Sequence, residues 1–122
     1  MSNYRDLDVW HRARALTRDI YQITAQFPRS EIFGLVQQLR RAAVSVVSNI
    51  AEGQGRWSHA EQVRFYFASR GSLLEVETQL YLSSDLGYFD QAKLDEQLRK
   101  TEKIGRMLNG LINRALGKKP EA

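Results

Sequence analysis

Few side chains in this sequence combine reactive chemistry with a useful spacing. The only histidines are His11 and His59, preceded three positions back by Asp8 and Arg56. A di-metal carboxylate bundle needs two Glu-x-x-His pairs and two further inward glutamates. One Asp8/His11 pair near a helix start therefore reads as surface capping, not as a ligand set. Cysteine is absent, which removes a thiolate zinc site, a cysteine nucleophile and a disulfide scaffold together. Neither a G-x-x-x-x-G-K-[ST] phosphate loop nor a G-x-S-x-G elbow occurs, and no Ser/His/Asp arrangement can be assembled. Gly53-Gln54-Gly55-Arg56-Trp57-Ser58 has some ingredients of a phosphate site: flexible glycines, an arginine and a following helix N-terminus. A turn between two helices accounts for it more simply. Glu77 falls on an apolar helical stripe, which predicts a structural ion pair with Arg40 or Arg70. These absences point away from an enzyme and imply no cofactor.

The remaining chemistry is cationic. The chain carries 18 Lys and Arg against 14 Asp and Glu, a net charge of +4, with an isoelectric point near 9.6. Residues 1–70 and 97–122 are basic, whereas 75–96 hold six acids and a single lysine. Arginine outnumbers lysine 13 to 5, and the planar guanidinium suits bidentate contacts to phosphate.

These cations must be positioned by helices. Proline occurs only at Pro28 and Pro120, and glycine falls where apolar periodicity breaks. The first helix is expected from Asp8 to Ala25, with Val9, Ala13, Leu16, Ile20, Thr24 and Phe27 inward. The second begins at Ser30 as N-cap and ends at Gly53, its stripe being Leu35, Leu39, Ala42, Ala43, Val46 and Ile50. Ser58 and Glu61 form a capping box that opens a third helix reaching Asp85, with Val63, Tyr66, Phe67, Leu73, Leu74, Leu80 and Tyr81 inward and Gly87 closing it. Asp90 caps a fourth helix carrying Leu94, Leu98, Thr101, Gly105, Leu108, Ile112 and Ala115. The β-branched Val44, Val46 and Val47 lower helix propensity in the second helix, so packing must override them. With no strand pattern and short connections, the fold predicted is all-α: one antiparallel up-down-up-down four-helix bundle over 1–117, with a polar tail at 118–122.

The outward faces divide into two kinds. Val44, Ser45 and Ser48 of the second helix and Ser72 and Gln79 of the third form small uncharged surfaces that predict a homo-oligomer interface. By contrast, Arg14 and Arg18 of the first helix and Arg99, Lys103 and Arg106 of the fourth form basic stripes. In a bundle of this order the two helices are neighbours, so the stripes merge into one phosphate-binding face. No signal-peptide pattern and no run of about 18 apolar residues is present, which with the missing cysteines predicts a soluble, cytoplasmic protein without a membrane partner.

YRDLDVW at Tyr4 to Trp10, FPRSEIFGLVQQLRRAAVSVVSNIAEGQGR at Phe27 to Arg56, GSLLEVETQL at Gly71 to Leu80 and DLGY at Asp85 to Tyr88 carry a specific resemblance. Together these stretches resemble the four-helix-bundle proteins encoded in intervening sequences of bacterial 23S ribosomal RNA genes, over about Tyr4 to Leu116. That family is similar in fold to the accessory protein of diversity-generating retroelements, a basic pentameric barrel that works with a reverse transcriptase. The resemblance implies a barrel-like homopentamer, association with RNA or DNA, a nucleic-acid enzyme such as a reverse transcriptase as partner, and no enzymatic activity. The function expected is low-specificity nucleic-acid binding with RNA ahead of DNA; the alternative is a scaffold that recruits an acidic protein.

Overall fold

The computed structural model describes residues 3–117; the expected polar tail, 118–122, lies outside them. Four helices are present: α1 (Asp8–Thr24), α2 (Gln37–Gln54), α3 (His59–Asp85) and α4 (Gln91–Ala115), with no strand among the described residues. Each packs against its sequence neighbour and α4 closes against α1, the up-down-up-down order expected. The α2–α3 seam is the most extensive and α1–α4 the lightest.

The apolar stripe of α1 is buried as its spacing predicts, from Val9 through Thr24, and Phe27 follows in the turn. Leu39, Ala42, Ala43, Val46 and Ile50 of α2 are buried as well, so packing does overcome the β-branched run. On α3 the register departs from expectation. The buried face is Tyr66, Ser69, Leu73, Val76, Leu80 and Ser83, while Phe67, Leu74 and Tyr81 are 43%, 57% and 50% exposed. Apolar residues surround α3, so periodicity alone does not select its inner face; the small Ser69 does, because its hydroxyl donates to the Val46 carbonyl across the α2–α3 seam at 2.8 Å. On α4 the core also takes Gln97, Ile104 and Leu111, and Leu98 and Gly105 are only half-buried.

Helix ends show two corrections. Ser30 does not cap α2: a 3-10 turn at Arg29–Glu31 and a π-turn at Ile32–Val36 precede the helix. The capping atom is Glu31 Oε1, which accepts from the Leu35 N–H at 3.3 Å, while Oε2 accepts from the Tyr88 hydroxyl at 2.6 Å. Gly53 does not end α2, which continues to Gln54; a Cβ there would lie 2.6 Å from Tyr66 Cε1, so the residue is small to let α3 approach. Ser58 accepts from the Glu61 N–H at 3.1 Å, whereas the Glu61 carboxylate turns to Arg64 at 3.6 Å. Asp90 caps α4 through the Lys93 N–H at 2.9 Å, and Gly87 follows α3 with φ of +79°, the left-handed geometry that glycine takes without strain.

Candidate nucleic-acid interface

The five cations singled out from the sequence are all exposed on α1 and α4. Arg14, Arg18, Arg99, Lys103 and Arg106 make no ion pair among the described residues. Arg12, Arg56, Arg64, Lys93 and Lys100 do, with Asp8, Glu52, Glu61, Glu96 and Asp19 respectively. The α1–α4 seam is tied by Lys100 to Asp19, and Gln97 Nε2 also donates to Asp19 at 3.4 Å. The Asp19 carboxylate raises the Lys100 ammonium above its usual range chiefly by hydrogen bonding. In the chain Arg18 precedes Asp19 and Arg99 precedes Lys100, each turned about 100° round its helix from the tie. Arg14 goes elsewhere: its guanidinium sits 4.7 Å from the Trp10 ring centroid, on the flank of α1 that faces α2. The signal for that stacking is the Trp10/Arg14 spacing of four, which a search for basic stripes does not use.

Trp10 belongs to a cleft of about 630 Å³ lined by Tyr4, Trp10, Val47, Ser48, Ala51, Glu52, Gly55 and Arg56. The 3-10 turn Tyr4–Asp6 forms one lip. Its capping box is made by Asn3, which accepts from the Arg5 N–H at 3.0 Å, and by Asp6, which accepts from the Asn3 N–H at 3.3 Å. His11 braces this turn, its Nε2 lying 2.8 Å from the Arg5 carbonyl oxygen. Asp8 pairs with Arg12 at 3.1 Å, so both members of the Asp8/His11 pair have structural work. Among the described residues no three His, Asp or Glu gather where they would hold a metal ion.

The expected Glu77–Arg40 pair is not formed. Arg40 Nε donates to Thr24 Oγ1 at 2.9 Å and its guanidinium lies 4.5 Å from the Tyr21 ring centroid. Arg70 donates to Asn109 at 2.8 Å. Glu77 is half-buried, one step off the α3 core face, so the register error that put Phe67 and Leu74 inside also put Glu77 there. The expected oligomer surface is likewise divided. Ser45 and Ser72 hydroxyls meet at 2.8 Å and Gln79 donates to Gln38 at 3.4 Å, so these three close the α2–α3 seam within the chain. Val44 and Ser48 remain exposed on the outer face of α2.

No helix among the described residues is long and apolar enough to cross a membrane. No curated protein matches the sequence. A solved structure with similar architecture is a protein of unknown function from the S23 ribosomal protein family of Bacteroides thetaiotaomicron. It superposes with a TM-score of 0.79 at 18% identity, over 86% of this chain and 95% of that one. The family model described as 23S rRNA-intervening sequence protein matches residues 5–110, nearly the whole bundle, and the chain therefore belongs to that family.

Proposed function

We propose that the protein is a non-enzymatic, homopentameric nucleic-acid-binding protein that contacts phosphates with little sequence specificity and takes RNA in preference to DNA. The observation that carries this reading is the contrast in ion pairing. Arg14, Arg18, Arg99, Lys103 and Arg106 stand exposed without carboxylate partners among the described residues, as do Arg5, Arg29, Arg41 and Arg114, while Arg12, Arg56, Arg64, Lys93 and Lys100 are neutralised within the chain. Unpaired cations on rigid helices bind phosphate by releasing counterions, and phosphate contacts carry no base sequence. Self-association is supported by the exposed Val44 and Ser48 and by the apolar stripe Phe67, Leu74 and Tyr81; the number five comes from the family resemblance. Repeating a modest patch around a ring raises its effective concentration.

The test is anisotropy of a labelled mixed-sequence RNA across a salt series. Replacing the five cations by Gln should weaken binding and flatten the slope of log affinity against log salt, by about 0.7 for each phosphate of a single strand that is no longer neutralised. Oligomeric mass should stay unchanged. Wild-type protein that binds neither RNA nor DNA at low salt would overturn the reading in favour of an acidic protein partner.

A further inference from the structure

The segment YRDLDVW and the end of the run that closes on GQGR meet in the cleft beside Trp10. Resting on the nucleic-acid reading, we propose that this cleft holds an unpaired nucleobase, and that the protein consequently binds single strands better than duplexes.

Its lining has the parts that base stacking needs. Tyr4 and Trp10 form an edge-to-face pair with centroids 5.0 Å apart, which fixes the indole on a half-buried base. Val47 and Ala51 give the opposite wall an apolar surface. The depression is open to solvent and about 630 Å³ in volume, room for a flat base whose sugar and phosphate stay outside. Two guanidiniums lie on the rings themselves, Arg14 4.7 Å from the Trp10 centroid and Arg5 5.5 Å from that of Tyr4. The one carboxylate in the lining, Glu52, is held by Arg56 at 2.9 Å. The cleft thus joins aromatic and aliphatic surface to polar Ser48 and the Glu52–Arg56 pair, with unpaired guanidiniums on both of its rings. That pattern fits a flat aromatic base trailing phosphates better than it fits an acidic peptide, which offers carboxylates without a ring face. A base inside a duplex has both faces covered by its neighbours and cannot stack on a protein ring, so only unpaired strands gain this contact. Ser48 marks where the cleft borders the face assigned to self-association.

The two tryptophans make the test direct. In Trp57→Phe, Trp10 is the sole indole. Single-stranded oligoadenylate should quench its fluorescence, and a duplex of the same length should not, while anisotropy shows the single strand binding more tightly. Tyr4→Leu and Trp10→Leu, checked by circular dichroism melting and by mass, should each reduce single-strand affinity. The reduction expected is roughly five- to 150-fold, the range for one base stacked on one ring, with duplex affinity unchanged. Tyr4→Leu keeps the proposal testable if Trp10→Leu does not fold. Equal affinity for both strand forms with constant Trp10 emission would overturn the base site and leave the phosphate reading standing. Absence of any binding at low salt would overturn both. Adenosine monophosphate quenching Trp10 at the same concentration as the oligonucleotide would overturn the assignment to a strand.

Discussion

Gly53 and Gly71 are both helical glycines, yet their surroundings give them opposite meanings. A methyl on Gly53 would press into the Tyr66 ring at 2.6 Å and approach Phe65 Cβ at 3.2 Å, whereas nothing lies within 4 Å of the corresponding position at Gly71. Gly53→Ala is therefore expected to destabilise by about 1–3 kcal/mol through overpacking. Gly71→Ala is expected to stabilise by up to about 1 kcal/mol through helix propensity. Urea unfolding of the two variants checks both signs. Glu77 illustrates the same dependence on surroundings. Half-buried and without an ion pair among the described residues, it should cost under about 1 kcal/mol as Glu77→Ala, not the roughly 3–5 of a broken buried pair. An unfolding midpoint lowered by the larger amount would show that the Glu77 carboxylate holds a cation after all.

At the scale of whole helices, legibility followed amphipathicity. On α1 the polar and apolar positions alternate cleanly, so its buried set could be read from spacing alone, and Asp90 and Gly87 mark the α3–α4 connection by their local chemistry. The inner face of α3 could not be read, because Phe67, Leu74 and Tyr81 compete with Ser69, Val76 and Ser83 for it. The winner is decided by close approach to α2, where small hydroxylated side chains fit. The entry to α2 was also hidden: Gly34 takes φ −108° and ψ −116° beneath a carboxylate that is pinned from 57 residues away. Exposure of the five cations followed from helical phase, but the Trp10 cleft required knowing that α1 lies beside the end of α2. If the exposed α3 stripe joins subunits, Leu74→Glu should lower the mass seen by light scattering. Because Leu74 is 57% exposed, helicity per chain should be unchanged; an unaltered assembly would move the interface off α3.

At the scale of the whole molecule, three groups tie stability to alkaline pH. The Glu31 carboxylate accepts a hydrogen bond from the Tyr88 hydroxyl and raises that phenol above 10.0; Asp19 raises Lys100 above 10.5; burial raises Tyr66. A group whose folded value is raised contributes its full stabilisation below the unfolded value and loses it as pH climbs through the folded one. Melting temperature should therefore be insensitive to these groups from neutrality to about pH 9, and decline above about pH 10. Tyr88→Phe should melt lower at neutral pH and show a smaller alkaline decline. A wild-type midpoint constant up to about pH 11 would contradict the role given to these contacts.

The uneven seams bear on the order in which the bundle comes apart. Regions open locally with free energies that reflect how much packing must be broken. The α1–α4 seam is the lightest, and its polar tie runs through one aspartate on a solvent-accessible rim. Separation there leaves α2 and α3 clasped by Ser69, by the Ser45–Ser72 hydroxyl pair and by the Gly53–Tyr66 approach. Deuterium uptake should accordingly be fastest in amides of α1 and α4 and slowest around Val46, Ser69 and Val76. Lys100→Met should speed exchange in the outer pair alone, making the α2–α3 hairpin the last part of the chain to surrender its amide protons.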